Sequence, residues 1–233
     1  MQKAFGIIEL VFVITLLLLC ITLAKPYQNN QTHRASQYLL QNILYTKNLA
    51  LTQSTIYTTL SQSKWLKDMF PSIAQEILIT KPMLWQIQFH LNGTYTKNSF
   101  SIYFDTPRIA QTTHYDNRPM AGDLIAIQGN NLRCISGYNN TNIADFCKNN
   151  AETSTRLQES YGVNLAITHQ LSCKENKTAR IYFDNQGKPY CGKTPTPLTR
   201  PFIITLSKNH HQKTFCILPY TGAIKKGEIC YKI

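Results

Sequence analysis

Residues 5–24 decide the fold, and they read FGIIELVFVITLLLLCITLA. These twenty residues carry one ionisable group, Glu9. A helix rises about 1.5 Å per residue, so this length matches a hydrocarbon layer about 30 Å thick. A carboxylate inside a bilayer costs about 2.5–3.5 kcal/mol even on the most lenient scale, so Glu9 indicates a function within the segment. We therefore predict a membrane-spanning helix over residues 5–25.

An ordinary secretory signal peptide is the alternative for this run, and four features argue against it. The run is longer than the usual apolar core of about 7–15 residues, and Thr22 and Ala24 form a poor cleavage site. Leu19 before Cys20 differs from the small residue that a lipoprotein signal has at that position. A removable signal would also have no use for Glu9. A plain signal anchor is the remaining alternative.

The N-terminus resembles the signal segment of type IV prepilins and type II secretion pseudopilins. The shared pattern is a short basic leader, a small residue, Phe, and a Glu-Leu pair within an apolar run; here Ala4, Phe5 and Glu9 hold these positions. Ala4 departs from the family, which usually has Gly there. Pro26 falls where many pilins carry a proline that kinks the long first helix. The resemblance divides the chain into a leader (1–4), a transmembrane half-helix (5–25), an amphipathic half-helix (26–60) and a head (61–233).

The resemblance implies a processing and assembly chemistry. A prepilin peptidase would cleave after Ala4 and methylate the amine of Phe5, leaving the helix as a single-pass anchor in the bacterial inner membrane. Lys3 on the leader places the head in the periplasm. Glu9 would pair with the Phe5 amine of a neighbouring subunit, which relieves both charges in an apolar medium and sets the axial register. The implied partners are the peptidase, other pilin or pseudopilin subunits and the inner-membrane assembly platform.

Beyond Pro26 a second helical pattern continues. Apolar residues recur at spacings of three and four, which indicates an amphipathic helix reaching about residue 55. The stripe consists of Leu39, Leu40, Ile43, Leu44, Lys47, Ala50 and Leu51. Because Arg34 and Lys47 are charged, we expect their side chains on the solvated face of this helix. Residues 64–80, broken by Pro71, form either a short helix or an insertion.

The rest of the chain predicts antiparallel strands, and the fold class is α+β with one long helix laid on a sheet. The first two strands would form a hairpin marked by Asn92-Gly93. The sequence lacks the alternation of helices and strands that would indicate a parallel sheet. The predicted strands are 84–91, 100–104, 123–127, 162–167, 179–183, 201–207 and 213–218.

The C-terminal third resembles GspH/FimT-type minor pseudopilins. The shared features are a strand followed by Asp184-Asn185-Gln186-Gly187, and a later strand followed by Tyr220-Thr221-Gly222. The frequent Ala-Arg pair of that family's helix is replaced by Thr46-Lys47.

The chain has seven cysteines, and six of them lie in the head. An even number in an extracytoplasmic domain indicates disulfides, although six cysteines allow fifteen connectivities. The shortest loops would pair Cys134 with Cys147, Cys173 with Cys191 and Cys216 with Cys230. Each loop would contribute about 3 kcal/mol. A zinc site is disfavoured because the sequence has no CxxC motif. We interpret Cys20, in the apolar run, as a small apolar residue without a special role.

Enzyme motifs are absent: there is no GxSxG, P-loop, HExxH or dinucleotide fingerprint. We predict a non-enzymatic subunit without cofactor or metal. The formal net charge of +12 raises nucleic acid or an anionic membrane surface as a partner. Transformation proteins of the resembled family bind DNA through cationic residues near the C-terminal end. The candidates here are Lys208, Lys213, Lys225 and Lys226.

Overall fold

A computed structural model describes residues 6–53, 85–92, 96–105, 117–139 and 142–231; within the first helix it describes no side chains over residues 23–30. The cleavage position Ala4-Phe5 and the segment 64–80 lie outside the described residues. The predictions made for them stay predictions.

Helix α1 is a single element of 46 residues, Ile7–Thr52, close to the predicted bounds. Its backbone begins after Gly6, which is extended, and ends at Gln53. Every residue from Gly6 to Thr22 is exposed, whereas one face is buried from Thr32 onward. Pro26 lies inside the helix, and its kink stays a prediction. In the part of the chain whose side chains the structure describes, no helix is both long and apolar enough to span a membrane.

The head contains two antiparallel sheets, where the sequence predicted one. The strands of the first sheet are β1 (Trp85–His90), β2 (Ser99–Phe104), β3 (Leu124–Ile125), β5 (Thr178–Phe183), β6 (Pro189–Cys191) and β7 (Thr196–Pro197). Those of the second are β4 (Asn164–Thr168), β8 (Phe202–Lys208), β9 (His211–Ile217) and β10 (Ile224–Lys226). The first sheet has the strand order β3-β2-β1-β5-β6-β7, and the second has the order β10-β9-β8-β4.

Short helical pieces complete the head. Helix α2 (Asp145–Lys148) and helix α3 (Leu157–Tyr161) lie between β3 and β4. The chain also forms single 3₁₀ turns at Thr153–Thr155, Leu171–Cys173 and Gly227–Tyr231. The α+β class with antiparallel pairing is therefore confirmed.

One apolar core joins α1 to both sheets. Helix α1 contributes Ala35, Leu39 and Ile43, and the sheets contribute residues such as Phe89 and Phe202, all fully buried. The rings of Phe89 and Phe202 lie 6.0 Å apart, one from each sheet. The two sheets therefore share a single interior under the second half of the helix.

The buried face of α1 differs from the predicted stripe. Leu44 and Leu51 are 50% and 43% exposed. Asn42 and Thr46 are buried instead, because their side chains donate hydrogen bonds to the carbonyls of Tyr38 and Asn42 one turn earlier. Polar residues that bond within the helix can occupy a buried face, and a count of apolar positions misses them.

Three disulfides crosslink segments of the head, and the cysteines pair as the shortest loops predicted. Cys134–Cys147 ties the chain before α2 to that helix, and Cys173–Cys191 ties a 3₁₀ turn to β6. The third, Cys216–Cys230, joins β9 to the 3₁₀ turn Gly227–Tyr231. Their Cα atoms lie 5.5, 5.2 and 5.6 Å apart.

Candidate functional site

The first half of α1 exposes apolar side chains around its whole circumference. Ile7, Val11, Leu18 and Ile21 are each about half exposed or more, at 82%, 54%, 57% and 50%. A helix that is apolar on all sides buries that surface in lipid or among other helices, because water disfavours a patch of this size.

Glu9 is the acidic residue in the first turn of this half. One oxygen of its carboxylate, Oε2, accepts a hydrogen bond of 3.1 Å from the backbone N–H of Gly6. That bond satisfies one of the donors that every helix leaves unpaired at its start, where a negative charge is also favourable. Glu9 is thus a helix cap in the isolated chain.

Lys47 connects α1 to two turns of the head, and the expectation of a solvated charge was wrong for this residue. Its Nζ donates hydrogen bonds of 3.1 Å to the carbonyls of Thr221 and Gly222, and it lies 6.0 Å from the centre of the Phe183 ring. The turn after β5 also reaches this point, because a Cβ on Gly187 would collide with the Lys47 side chain. Arg34 is exposed, as predicted.

Strand register places Lys225 on the opposite face of the sheet from Lys213 and Lys226, which were also proposed to bind DNA. Lys226 pairs with the buried Phe215 and shares its face, whereas Lys225 pairs with Cys216 and points to the opposite face. Lys213 lies two residues before Phe215 and therefore shares the face of Lys226.

Lys208 is already engaged within the head. Its Nζ donates a hydrogen bond of 3.0 Å to the carbonyl of Tyr161 in α3. Its side chain also closes over Gly162, where φ is +66° and a Cβ would collide with it. The structure therefore brings together Lys213 and Lys226, and it places Lys208 and Lys225 elsewhere.

A groove of about 560 Å³ lies between α1 and the edge of the second sheet. Helix α1 contributes His33, Ser36, Gln37 and Leu40, and the opposite wall includes the two lysines. Its remaining lining residues are Gln212, Thr214, Phe215, Gly227, Glu228 and Tyr231.

The disulfide Cys216–Cys230 fixes one wall of this groove, because it holds the 3₁₀ turn Gly227–Tyr231 against β9. One wall of the groove is therefore covalently linked to β9. No motif in the sequence marks the groove, since one wall comes from α1 and the other from the C-terminal strands β9 and β10 and the 3₁₀ turn that follows them, far away in the chain.

The sequence also gave no sign of a buried polar layer on the face of the first sheet that lies opposite the shared core. Gln86, Gln88 and His90 alternate with the apolar residues of β1, yet all six side chains of this strand are buried. Gln88 bonds the carbonyl of Asn117, and the ring of His90 lies 5.6 Å from that of Tyr138. The chain after β2 therefore covers a sheet face that alternation would leave in water.

Arg180 and Glu175 form the charged centre of this layer. Two bonds of 2.7 Å join the guanidinium Nε and Nη2 to the two carboxylate oxygens, and both side chains are 1% exposed. Burial alone would lower the pKa of Arg180, but Tyr103, Tyr182 and Glu175 raise it above its ordinary value. Fork-to-fork pairing of this kind is the strong form of an ion pair.

His90 is the titratable neighbour of that pair. Burial, assisted by the positive charge of Arg180, lowers the pKa of the His90 imidazole to about 3. The ring shares a hydrogen bond of 3.1 Å between its Nε2 and the hydroxyl of Ser101, which in turn contacts the hydroxyl of Ser136 at 3.0 Å. These three side chains are at most 7% exposed and belong to the interior of the head.

Among the residues that the structure describes, no group of three or more His, Cys, Asp or Glu side chains could hold a metal ion. Comparison of the chain with protein-family models, with curated proteins and with solved structures gave no match.

Proposed function

We propose that this chain is a non-enzymatic minor subunit of a type IV pilus or a type II secretion pseudopilus. Residues 5–25 anchor it in the bacterial inner membrane, and the head lies in the periplasm. The observation that carries the proposal is the division of α1, whose first half is apolar and exposed from Gly6 to Thr22 and whose second half packs into a disulfide-bonded head. The apolar sequence extends from residue 5 to residue 24.

The apolar half of such a helix can be buried in two environments, and a fibre subunit uses both in turn. Before assembly the apolar half lies in the bilayer, and afterwards it packs among the equivalent helices of its neighbours. Glu9 supports this reading because a charge in an apolar segment needs a partner of opposite sign. Its Oε2 bonds the Gly6 N–H, and we assign its other oxygen to the Phe5 amine of the next subunit.

The processing step gives the direct test. The full chain is expressed in a bacterium that carries a prepilin peptidase, and its intact mass is measured. We expect loss of residues 1–4 and addition of one methyl group at Phe5. Ala4→Gly restores the residue usual in the family and should be cleaved at least as well, whereas Ala4→Arg should block cleavage. Recovery of the uncleaved chain from cells that process their own prepilins would refute the proposal.

Assembly is tested separately through Glu9. Glu9→Ala should be cleaved normally but should fail to enter sheared fibres or to crosslink with neighbouring subunits. Thr15→Ala, in the same exposed segment, is the matched control and should assemble. Normal entry of Glu9→Ala into fibres would remove the assembly role of the carboxylate.

A second candidate is a DNA receptor associated with the pilus, and the observation that favours it is the groove shared by Lys213 and Lys226. Contacts to phosphate would be independent of sequence. Affinity for duplex DNA should fall steeply between about 50 and 200 mM salt. Absence of binding at the lower salt concentration would remove this candidate.

A further inference from the structure

The groove lies at the end of the head nearest the apolar half of α1. His33, Ser36, Gln37 and Leu40 line it from α1, soon after the first buried residue of the helix, Thr32. The opposite end of the head contacts Lys47 and, through Trp85, Gln53. Because α1 is one helix, the groove lies at the end of the head from which the proposed membrane anchor continues.

Helix geometry brings the groove close to the surface of that membrane. From Ala24, the last apolar residue of the anchor, to His33 the helix rises about 14 Å. The head-group layer fills about 5–7 Å of this height above the hydrocarbon. The remaining gap is about as long as an extended lysine side chain and lies within one Debye length of about 8–10 Å.

The chemistry of the groove matches a phosphodiester with an apolar portion beside it. Lys213 and Lys226 supply two exposed ammonium groups from the same sheet face. Leu40 and the exposed ring of Tyr231 supply apolar surface. Glu228 is the carboxylate among the described lining residues, so the ammonium groups outnumber it.

From this position and chemistry we propose that the groove binds the head group of an anionic phospholipid at the membrane surface. The inference rests on the proposed function, because the anchor is what brings the groove to the lipid. Binding would hold the head upright against the membrane before the subunit enters a fibre. A lipid is favoured over duplex DNA because two lysines in a short groove suit one phosphodiester, whereas a duplex rewards a long row of cations.

Native mass spectrometry tests the proposal on the full chain, released from detergent containing equal amounts of phosphatidylglycerol and phosphatidylcholine. We expect the protein to retain phosphatidylglycerol selectively. Lys213→Gln with Lys226→Gln should weaken that preference about 20- to 30-fold, since each lysine at a membrane surface contributes about 1 kcal/mol. The matched control is Lys177→Gln with Lys193→Gln, which removes the same charge from exposed positions outside the groove and should keep the preference.

Several outcomes would overturn the proposal. They are equal retention of both lipids, an equal loss in the control variant, and displacement of the lipid by inorganic phosphate at the same concentration. Binding of duplex DNA that depends on Lys213 and Lys226, without any lipid preference, would assign the groove to DNA instead. Equal melting temperatures of the variants establish that both remain folded.

The two proposals fail in different ways. Extraction of the chain from membranes by alkali, or absence of cleavage after Ala4, refutes the proposed subunit function. A cleaved and membrane-embedded chain that shows no lipid preference refutes the lipid site alone.

Discussion

Replacement of Lys47 by Met should destabilise the head, although a surface charge on a helix is usually dispensable. The ammonium group is held by the carbonyls of Thr221 and Gly222 at 3.1 Å each, and it faces the ring of Phe183 at 6.0 Å. Methionine keeps the length of the aliphatic stem but removes both hydrogen bonds and the charge.

The size of the effect follows from these contacts. A hydrogen bond to a charged group contributes about 1.5–3 kcal/mol net. Both bonds share one half-buried donor and one of them is exposed, so we expect a total of about 2 kcal/mol rather than the sum of two full bonds. For a head of this size the melting temperature should fall by about 4–8 °C.

The assay is thermal unfolding of the full chain in mild detergent, followed by near-ultraviolet circular dichroism. Arg34→Met is the matched control, because Arg34 is exposed on the same helix; its melting temperature should stay within about 1 °C of the parent, as is usual for a surface substitution. If Lys47→Met and Arg34→Met behave alike, Lys47 does not connect the helix to the turns, and the reasoning is refuted.

Three further predictions concern the interior. The pKa of His90 in the folded state is about 3, so on acidification the unfolded chain takes up this proton before the folded chain does. The free energy of unfolding should therefore fall by about 2 kcal/mol from pH 7 to pH 5. His90→Gln should make the free energy of unfolding less dependent on pH over this range. Arg180→Met should cost about 3–5 kcal/mol in urea unfolding, because Glu175 is left buried and unpaired, and adding Glu175→Leu should recover most of it. Replacing Cys134 and Cys147 by Ser opens a loop with a separation of 13 residues and should cost about 3 kcal/mol, with unchanged far-ultraviolet circular dichroism.

The elements that local pattern controls could be predicted from the sequence. The 46-residue helix follows from a continuous apolar run and the amphipathic stripe after it, and the hairpin of β1 with β2 pairs as expected. The predicted strand at 123–127 shortens to Leu124–Ile125, and the short strands β6, β7 and β10 were not foreseen. Strands of two or three residues carry too few alternations to produce a pattern, and their pairing depends on neighbours that are distant in sequence.

The division into two sheets could not be predicted, because it depends on partners rather than on local pattern. The strand Thr178–Phe183 lies in sequence between β4 and β8 of the second sheet, yet it pairs with β1 and β6 of the first. Asn98 shows what joins the layers: its φ is +55°, its carbonyl accepts the N–H of Leu157, and its side-chain oxygen accepts the N–H of Leu165. One buried asparagine thus connects the start of β2 to α3 and β4, which no motif indicates.

The positive charge of the chain is a poor guide to function until each cation has been located. Lys47, Lys208 and Arg180 are engaged inside the head and contribute to its structure. Lys225 faces away from the cations it was grouped with, so proximity in sequence overstated the patch. Lys213 and Lys226 are left in one groove at the anchor end of the head. The net charge of +12 therefore does not by itself mark a binding surface, whereas two ammonium groups in one groove define a small site, which suits a single anionic head group better than a long polyanion.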